Sequence, residues 1–591
     1  MIDSRPNSRR LALAACLLAY LALGVVATWP AWIHGAAHTL QCGGCGDVGQ
    51  EVWFLRWPSA ALAHGHDPLL STFINVPYGV NLMENTSMPL SGLVATPLIW
   101  LFGAIASFNV LVALAFATSA TACFLAARRF TTSMLAAFAA GLLYGFSPFM
   151  IGQGEAHLFL VFGAVPPLMV ACLDEILRTG RHRLAAGIVL GALAAAQLLI
   201  SAEVLLIFGL IGIFGIAAVC IARRHDLRPA APKVARAFAA AGGIFVALAA
   251  FPTYIAFAGP GHVPASVHPV AILQHLSTDV AGIVLPGPNQ HFNLGFATTT
   301  KQWVRMAAQP GPGAGDVVEN GGYLGIPLLA LLLTGIARYR KDRIARTFTL
   351  CGVIALVFSL GSRLHVGGHF TAIPLPFAVL THLPLLRDEV AARYTVALWL
   401  CVALLVARLG GLAAADWATW AGKAGPRRKL EAIAAFAALG ILTVVSLMPA
   451  WPYDYQAVRV PPWFSSPASL RVPYGSTVLT YPFPRKPHSD AMLWQAVDGI
   501  RYRITAGEAV VAKTRLSATE TVFDHCLSTG KPPPLHAKRL SLMRHDLVAF
   551  GVSTVVIPRQ AAHWQCAAAS MQMAIGRPPV LQNGADVWSL P

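Results

Sequence analysis

ASFNVLVALAFATSATACFLAARR, residues Ala106–Arg129, decides the fold class. From Ala106 to Ala127 no side chain carries a full charge, and the run is long enough to cross the ~30 Å hydrocarbon core of a bilayer as one helix. It stops at Arg128-Arg129, a pair of bases of the kind retained on the inner side of a membrane. The same pattern repeats along the chain. Apolar runs of crossing length fall near 11–33, 106–127, 134–151, 157–173, 184–201, 203–222, 237–257, 323–337, 347–361, 391–408 and 430–450, and basic clusters stand between them at Arg9-Arg10, Arg178 to Arg183, Arg223 to Arg236, Arg338 to Arg346 and Arg427 to Lys429.

Composition agrees. Of 591 residues 56% are hydrophobic and only 12% charged, and the mean hydropathy is +0.60. An ordinary globular domain carries roughly 25% charge. Too little polar surface remains for a cytosolic enzyme, a disordered chain or a coiled coil. The net charge of +17 lies in the clusters between apolar runs, so it reports membrane topology and not a nucleic-acid partner.

An inner N-terminus with eleven crossings puts every basic cluster inside and the C-terminus outside. The acids took no part in that assignment, yet they fall mostly outside. The first run is too long for a signal core and is read as an uncleaved span. The stretches 89–105 and 370–386, the latter broken by Pro374, Pro376 and Pro384, are read as tilted or re-entrant segments that do not cross. The expected organisation is an all-α polytopic membrane domain, 1–450, with large outer loops 34–88 and 258–322. A small extracytoplasmic α/β domain, 451–591, follows, with strands at Ser476–Tyr481 and Ser553–Ile557 and a helix at Ala561–Ile575. The location implied is a bacterial plasma membrane.

Cysteine placement follows the same division. Cys16, Cys123, Cys172, Cys220, Cys351 and Cys401 lie in spans as small apolar fillers, whereas Cys42, Cys45, Cys526 and Cys566 lie outside, where disulfides persist. Cys526 pairs with Cys566 if Cys42 pairs with Cys45. For Cys42-Gly43-Gly44-Cys45 three readings stand: a local disulfide, a redox dithiol, or a Cys₂His₂ site with His64 and His66. Asn85-Thr86-Ser87 fits a glycosylation sequon.

Candidate chemistry gathers on the outer side. Asp47 precedes an amphipathic stretch, Val52–Ala63, whose Trp53, Phe54 and Trp57 are expected to seat it at the bilayer interface; Glu51 lies one turn on. A carboxylate there can act as general base between a lipid-borne substrate and an aqueous acceptor. Glu155 and His157 occupy the turn Gly152-Gln153-Gly154-Glu155-Ala156-His157, and Glu203 the next outer hairpin. Acids and histidines so close to a membrane are costly unless paired or hydrated. Asp388 and Glu389 stand before the tenth span with Arg387 and Arg393, whose guanidinium forks suit a phosphate leaving group. Several outer carboxylates, Asp47 and Glu155 foremost, are candidate ligands for a divalent cation, Mg or Mn. No nucleotide-binding or zinc-protease motif occurs in a credible context.

The arrangement resembles the GT-C class of membrane glycosyltransferases, which includes protein mannosyltransferases and oligosaccharyltransferases. Asp47 matches the acid early in the first large outer loop, Glu155 the acidic turn after the third span, and 451–591 the outer C-terminal domain. The stretches DPLLSTFINVPYGVNLMENTSMPL, YGFSPFMIGQGEAH, VVENGGYLGIPLLALLL and LPLLRDEVAARY look like those of uncharacterised bacterial proteins grouped with that class. The resemblance covers about residues 1–450 and is weaker in the tail. It implies a sugar donor on a polyprenyl phosphate, an outer-face glycan, lipid or protein acceptor, and the role of catalytic base or metal-binding carboxylate for Asp47, with Glu51 second. In place of the Asp-x-Asp-like pair of some members, the second turn has the single acid Glu155. Two other functions compete: a transporter or flippase of a lipid-linked saccharide, which calls for polar residues at mid-bilayer depth, and a membrane thiol oxidoreductase using Cys42 and Cys45.

Overall fold

The computed structural model describes the chain except residues 1–5, 42–45, 265–269, 308–316, 320, 384–385, 424, 485–487 and 515–516. Among the described residues nine helices are long and apolar enough to cross a membrane: Arg10–Ala27, Thr96–Ala127, Met134–Gln153, Leu158–Thr179, Arg183–Ile200, Ala202–Ala222, Ala231–Ala258, Ala391–Ala421 and Pro426–Leu447. The runs expected at 323–337 and 347–361 form the shorter helices Ile326–Arg338 and Arg343–Ser359. The chain is a multi-pass membrane protein, mostly helical, with a small mixed-sheet domain at its C-terminus. Neither of the two doubtful stretches is a separate crossing helix. Residues 89–105 divide into the helix Pro89–Val94 and the start of Thr96–Ala127, interrupted at Gly103, where φ 78° and ψ 169° break the helix. Within 370–386 lie a strand, His369–Pro374, hairpinned to Arg363–Val366 through Gly367 and Gly368 at positive φ, and a short helix, Phe377–Leu380.

By internal packing the chain forms two units. One comprises Met1–Trp29, Val112–Ala250 and Ser266–Tyr453, and the other Pro30–Leu111, Phe251–Ala265 and Asp454–Pro591. The first is the helical body. Its core is built by small residues as well as large ones: a Cβ on Gly145 would lie 2.5 Å from Cβ of Ala120, so these two helices touch backbone to backbone.

In the second unit the tail strands form a five-stranded sheet in the order Val580–Gln582, Ala585–Ser589, Val552–Pro558, Thr477–Thr480 and Arg503–Ile504. Thr477–Thr480 pairs in parallel with both of its neighbours, and the remaining pairs are antiparallel. The β-branched run Val-Ser-Thr-Val-Val-Ile suits the central position of Val552–Pro558. The sheet buries Leu479, Val555 and Ile557 beneath the helices Ala518–Thr529, Ala537–Ala549 and Trp564–Ile575, with Phe523, Met543 and Met571 filling the space between. A disulfide joins Cys526 to Cys566 across two of these helices. The six span cysteines are free.

The first large loop, 34–88, folds with this tail. Thr39–Gln41 pairs antiparallel with Tyr455–Ala457, and Phe73 and Val76 exchange backbone hydrogen bonds with Ile504. The helix Gly46–Ala63 corrects one expectation. Val52, Trp53, Phe54, Leu55 and Trp57 are each at most 2% exposed, and Trp53 donates its indole N–H to Gln495 Oε1 of the tail helix Asp490–Val497 at 2.6 Å. The aromatic side chains are a protein core, not an interfacial anchor. The same hydrophobic surface serves either purpose, and which one it serves depends on a partner more than 400 residues away in sequence.

Candidate functional site

Three chain segments meet around one guanidinium in the helical body. The helix Ala202–Ala222 starts at Ser201, whose hydroxyl accepts the Val204 N–H, so Glu203 falls in the first turn, where the helix dipole favours a carboxylate. Arg393 sits in the tight turn Ala391–Tyr394 that leads into Thr395–Ala421. Glu319 comes from the end of the second large loop, in the turn Val317–Glu319. That turn lies flat on the helix Pro148–Gln153 because both sides present glycine. A Cβ on Gly152 would stand 2.9 Å from the Val318 carbonyl oxygen, and one on Gly321 would stand 2.8 Å from Cα of Phe149. Trp399 adds a tie, donating its indole N–H to the Gly321 carbonyl at 2.9 Å.

Arg393 donates from Nη1 to Glu203 Oε2 at 2.6 Å, and from Nε and Nη2 to Glu319 Oε1 at 3.0 and 2.7 Å. The other oxygen of Glu319 accepts from Gln153 Nε2 at 2.8 Å. Gln153 Oε1 in turn lies 2.6 Å from His157 Nδ1, and that nitrogen lies 3.9 Å from Glu319. The Phe159 ring covers the guanidinium at 5.7 Å. Arg393, Glu203 and Glu319 expose 13%, 18% and 6% of their side chains, so the ionic contacts are largely shielded from water. Burial opposes the charge on Glu319, but Arg393 outweighs it and holds this carboxyl below the usual glutamate range. Glu389 goes the other way. Burial, reinforced by Glu203, pushes its carboxyl well above the usual range. Among the described residues, Glu203 Oε1, Glu389 Oε2 and the Tyr394 hydroxyl are buried without a hydrogen-bond partner, and buried polar atoms of this kind are rare unless a ligand or water serves them.

Of the residues selected from sequence, the structure brings Glu203, Arg393 and His157 into one network. Glu155 is half-buried in the turn just before His157, and Arg387 lies 3.6 Å from its neighbour Asp388. Glu319 was not selected. Its one sequence signal was its place as an acid directly before an apolar run, in the stretch VVENGGYLGIPLL. Gln153 was visible only as part of a turn.

In the second unit Asp47 occupies the first turn of Gly46–Ala63 and is half-buried, while Glu51 is 1% exposed. Gln50 on the same helix donates to the backbone carbonyl of Glu508, itself buried, which brings a further acid of the tail beside this helix. Sequence offered no reason to pair residues so far apart. His64 stacks on Tyr474 at 4.3 Å, and His66 lies between Trp57 and Tyr474, so both imidazoles belong to an aromatic stack. Cys42 and Cys45 lie outside the described residues. The Asn85 side-chain nitrogen donates to the carbonyls of Asn81 and Val510, which occupies the atom a glycan would modify.

Among the described residues no group of three or more His, Cys, Asp or Glu is arranged to hold a metal ion. The carboxylates that do gather, Glu203 and Glu319, are matched by Arg393, which supplies the positive charge a cation would bring. The Glu203–Glu319 pair therefore does not fit a Mg or Mn site.

No family model matches this sequence, and no curated protein matches it. Solved structures do. A mycobacterial arabinofuranosyltransferase, AftD, matches over 100% of this chain and 40% of its own, with a TM-score of 0.51 at 13% identity. The fold is GT-C-like. A looser likeness, TM-score 0.47 at 13% identity, relates 96% of this chain to 72% of the Archaeoglobus fulgidus oligosaccharyltransferase. An Archaeoglobus fulgidus oligosaccharyltransferase, AglB, solved with an inhibitory peptide and a dolichol-phosphate, shows a likeness with a TM-score of 0.46 at 11% identity over 98% of this chain and 74% of that one.

Proposed function

We propose that this chain is an integral membrane glycosyltransferase that moves a sugar from a polyprenyl-phosphate carrier to an acceptor at the outer face of the membrane. The observation that carries the reading is a fold shared along the entire chain with an arabinofuranosyltransferase. The position of Asp47 in the first large loop, where the resembling class keeps its catalytic acid, supports it. In this reaction the acceptor hydroxyl attacks the anomeric carbon. Asp47 takes the hydroxyl proton, the carbon–oxygen bond to phosphate breaks, and the phosphate leaves with the bonding pair. Glu51, one turn further along the helix, is the second candidate for the same role. Arg387 and Arg393, in the first unit, carry guanidinium forks suited to a phosphate. For Arg393, holding one requires an exchange, because its fork is already committed to Glu203 and Glu319. Glu155 and His157 belong to the substrate-binding turn. No step is routed through a metal ion. The outer side in this scheme is the side of 34–88 and 451–591, with the N-terminus cytoplasmic.

The test is transfer from a polyprenyl-phosphate sugar by purified protein in lipid. Asp47→Asn keeps the shape and removes the proton acceptor, so transfer should fall by roughly 10²–10⁴-fold. Donor binding should survive, and Glu51→Gln should be milder. Full turnover by Asp47→Asn with a dead Glu51→Gln or Glu155→Gln would move the site within the same class. Consumption of no lipid-phosphate sugar by the wild-type protein would favour a transporter instead.

A further inference from the structure

A cavity opens in the helical body beyond the carboxylate cluster. It is a cleft of about 180 Å³ between the helices Val165–Asp174, Ala202–Ala222, Arg343–Ser359 and Thr395–Ala421. Its walls are apolar, formed chiefly by Met169, Phe208, Phe348 and Leu404. Glycine makes one side shallow. A Cβ at Gly212 would meet nothing within 4 Å, and one at Gly215 would reach only the Cys351 sulfur at 3.3 Å. One end of the cleft is basic, with Arg178, Arg223 and Arg343 in its lining against the single acid Asp174.

The three arginines differ in what they already hold. Asp174 accepts from both Arg129 and Arg178, and Asp226 takes Arg223 at 3.1 Å. Arg343 is exposed, and among the described residues its guanidinium makes neither a hydrogen bond nor an ion pair. A full positive charge is therefore uncommitted at the mouth of a greasy cleft. Glu203 and Arg223 stand at opposite ends of Ala202–Ala222, about 30 Å apart at 1.5 Å of rise per residue. The basic end of the cleft is thus remote from the candidate site, while Phe208, at the apolar end, lies within two helical turns of Glu203.

We propose that this cleft binds one anionic phospholipid, with an acyl chain along Phe208, Gly212 and Leu404 and the phosphate on Arg343. Charge complementarity selects the occupant. An apolar ligand without a head group leaves Arg343 unused, and a soluble phosphate leaves the apolar walls uncovered. A zwitterionic lipid brings a second positive charge to an end that is already basic. Basic pockets between membrane helices hold anionic head groups by the same physics.

The experiment uses the full chain, delipidated and returned to nanodiscs of phosphatidylcholine with graded phosphatidylglycerol, then released for native mass spectrometry. One phosphatidylglycerol should remain bound, with about tenfold preference over phosphatidylcholine, equivalent to ~1.4 kcal/mol. Arg343→Gln should abolish the preference while leaving chain occupancy. Gly212→Leu should fill the cleft and lower occupancy by both lipids; both positions face open space, so neither variant threatens folding. Equal retention of the two lipids by the wild-type protein would overturn the proposal. So would a preference that persists in Arg343→Gln, or displacement of the bound lipid by undecaprenyl phosphate, which would make the cleft a donor site.

Discussion

Removing the charge of Arg393 tests whether the buried network is held as its geometry implies. At an effective dielectric of about 20, a charge pair some 4 Å apart is worth roughly 4 kcal/mol, and Arg393 has two such partners. Arg393→Gln erases both attractions and leaves Glu203 and Glu319 facing each other in a dry setting. Protonation of one carboxyl relieves part of that. The measured loss should then be the 3–5 kcal/mol typical of a buried pair deprived of one member. Glu319→Gln is milder. It leaves Arg393 neutralised by Glu203 and replaces a charged acceptor by an amide, for about 1–3 kcal/mol. The triple variant Arg393→Gln, Glu203→Gln, Glu319→Gln should recover much of the single-variant loss, because no charge then remains uncompensated. Reversible unfolding in mixed micelles by SDS titration, followed by tryptophan emission, ranks the three; Trp399, bonded to the Gly321 carbonyl, is a built-in reporter. The reasoning is refuted if Arg393→Gln unfolds within about 1 kcal/mol of wild type, or if the triple variant is no more stable than that single one.

Glu389→Gln should stabilise the protein increasingly as pH rises through and beyond the ordinary glutamate range. The wild-type carboxyl, raised by burial, favours folding only while protonated, so parallel melts from pH 4 to 8 should diverge with pH. Asp498, pushed up to about 6 by burial, with one oxygen lacking a hydrogen-bond partner among the described residues, should behave likewise in the tail. The shift corresponds to at most ~3 kcal/mol, and since the group is partly exposed Asp498→Asn should gain about 1–2 kcal/mol above pH 6 and nothing below pH 4. Cys526→Ser should destabilise the tail by about 4 kcal/mol, the loop entropy of a 40-residue separation, and speed its limited proteolysis. Reporter fusions after residues 130, 180, 230 and 343 should all score as cytoplasmic; outer scores at two of them would reverse the assigned orientation.

The membrane character and the places of the helices were legible in the sequence because a crossing helix satisfies its own backbone and needs only length and apolarity, both local properties. For the same reason the tail strands near 476–481 and 553–557 and the helix ending at Ile575 were readable from β-branched alternation and helical spacing. Cys526 and Cys566 could be paired by elimination. The candidate site was legible only in part. Glu203 and Arg393 drew notice as charges at helix starts, but nothing local said that they share a partner. Glu319 reaches them through a glycine-on-glycine approach between segments about 165 residues apart, as the Gln153–Glu319 bond records. The aromatic run of Trp53, Phe54 and Trp57 has an amphipathic sequence, and tertiary structure makes it a core by bringing Gln495 to meet it. Sequence determines which surfaces are greasy and which groups are charged. Which of them meet is decided by packing over hundreds of residues, where burial and pairing energies are set by the neighbours that the fold supplies and not by the residues themselves.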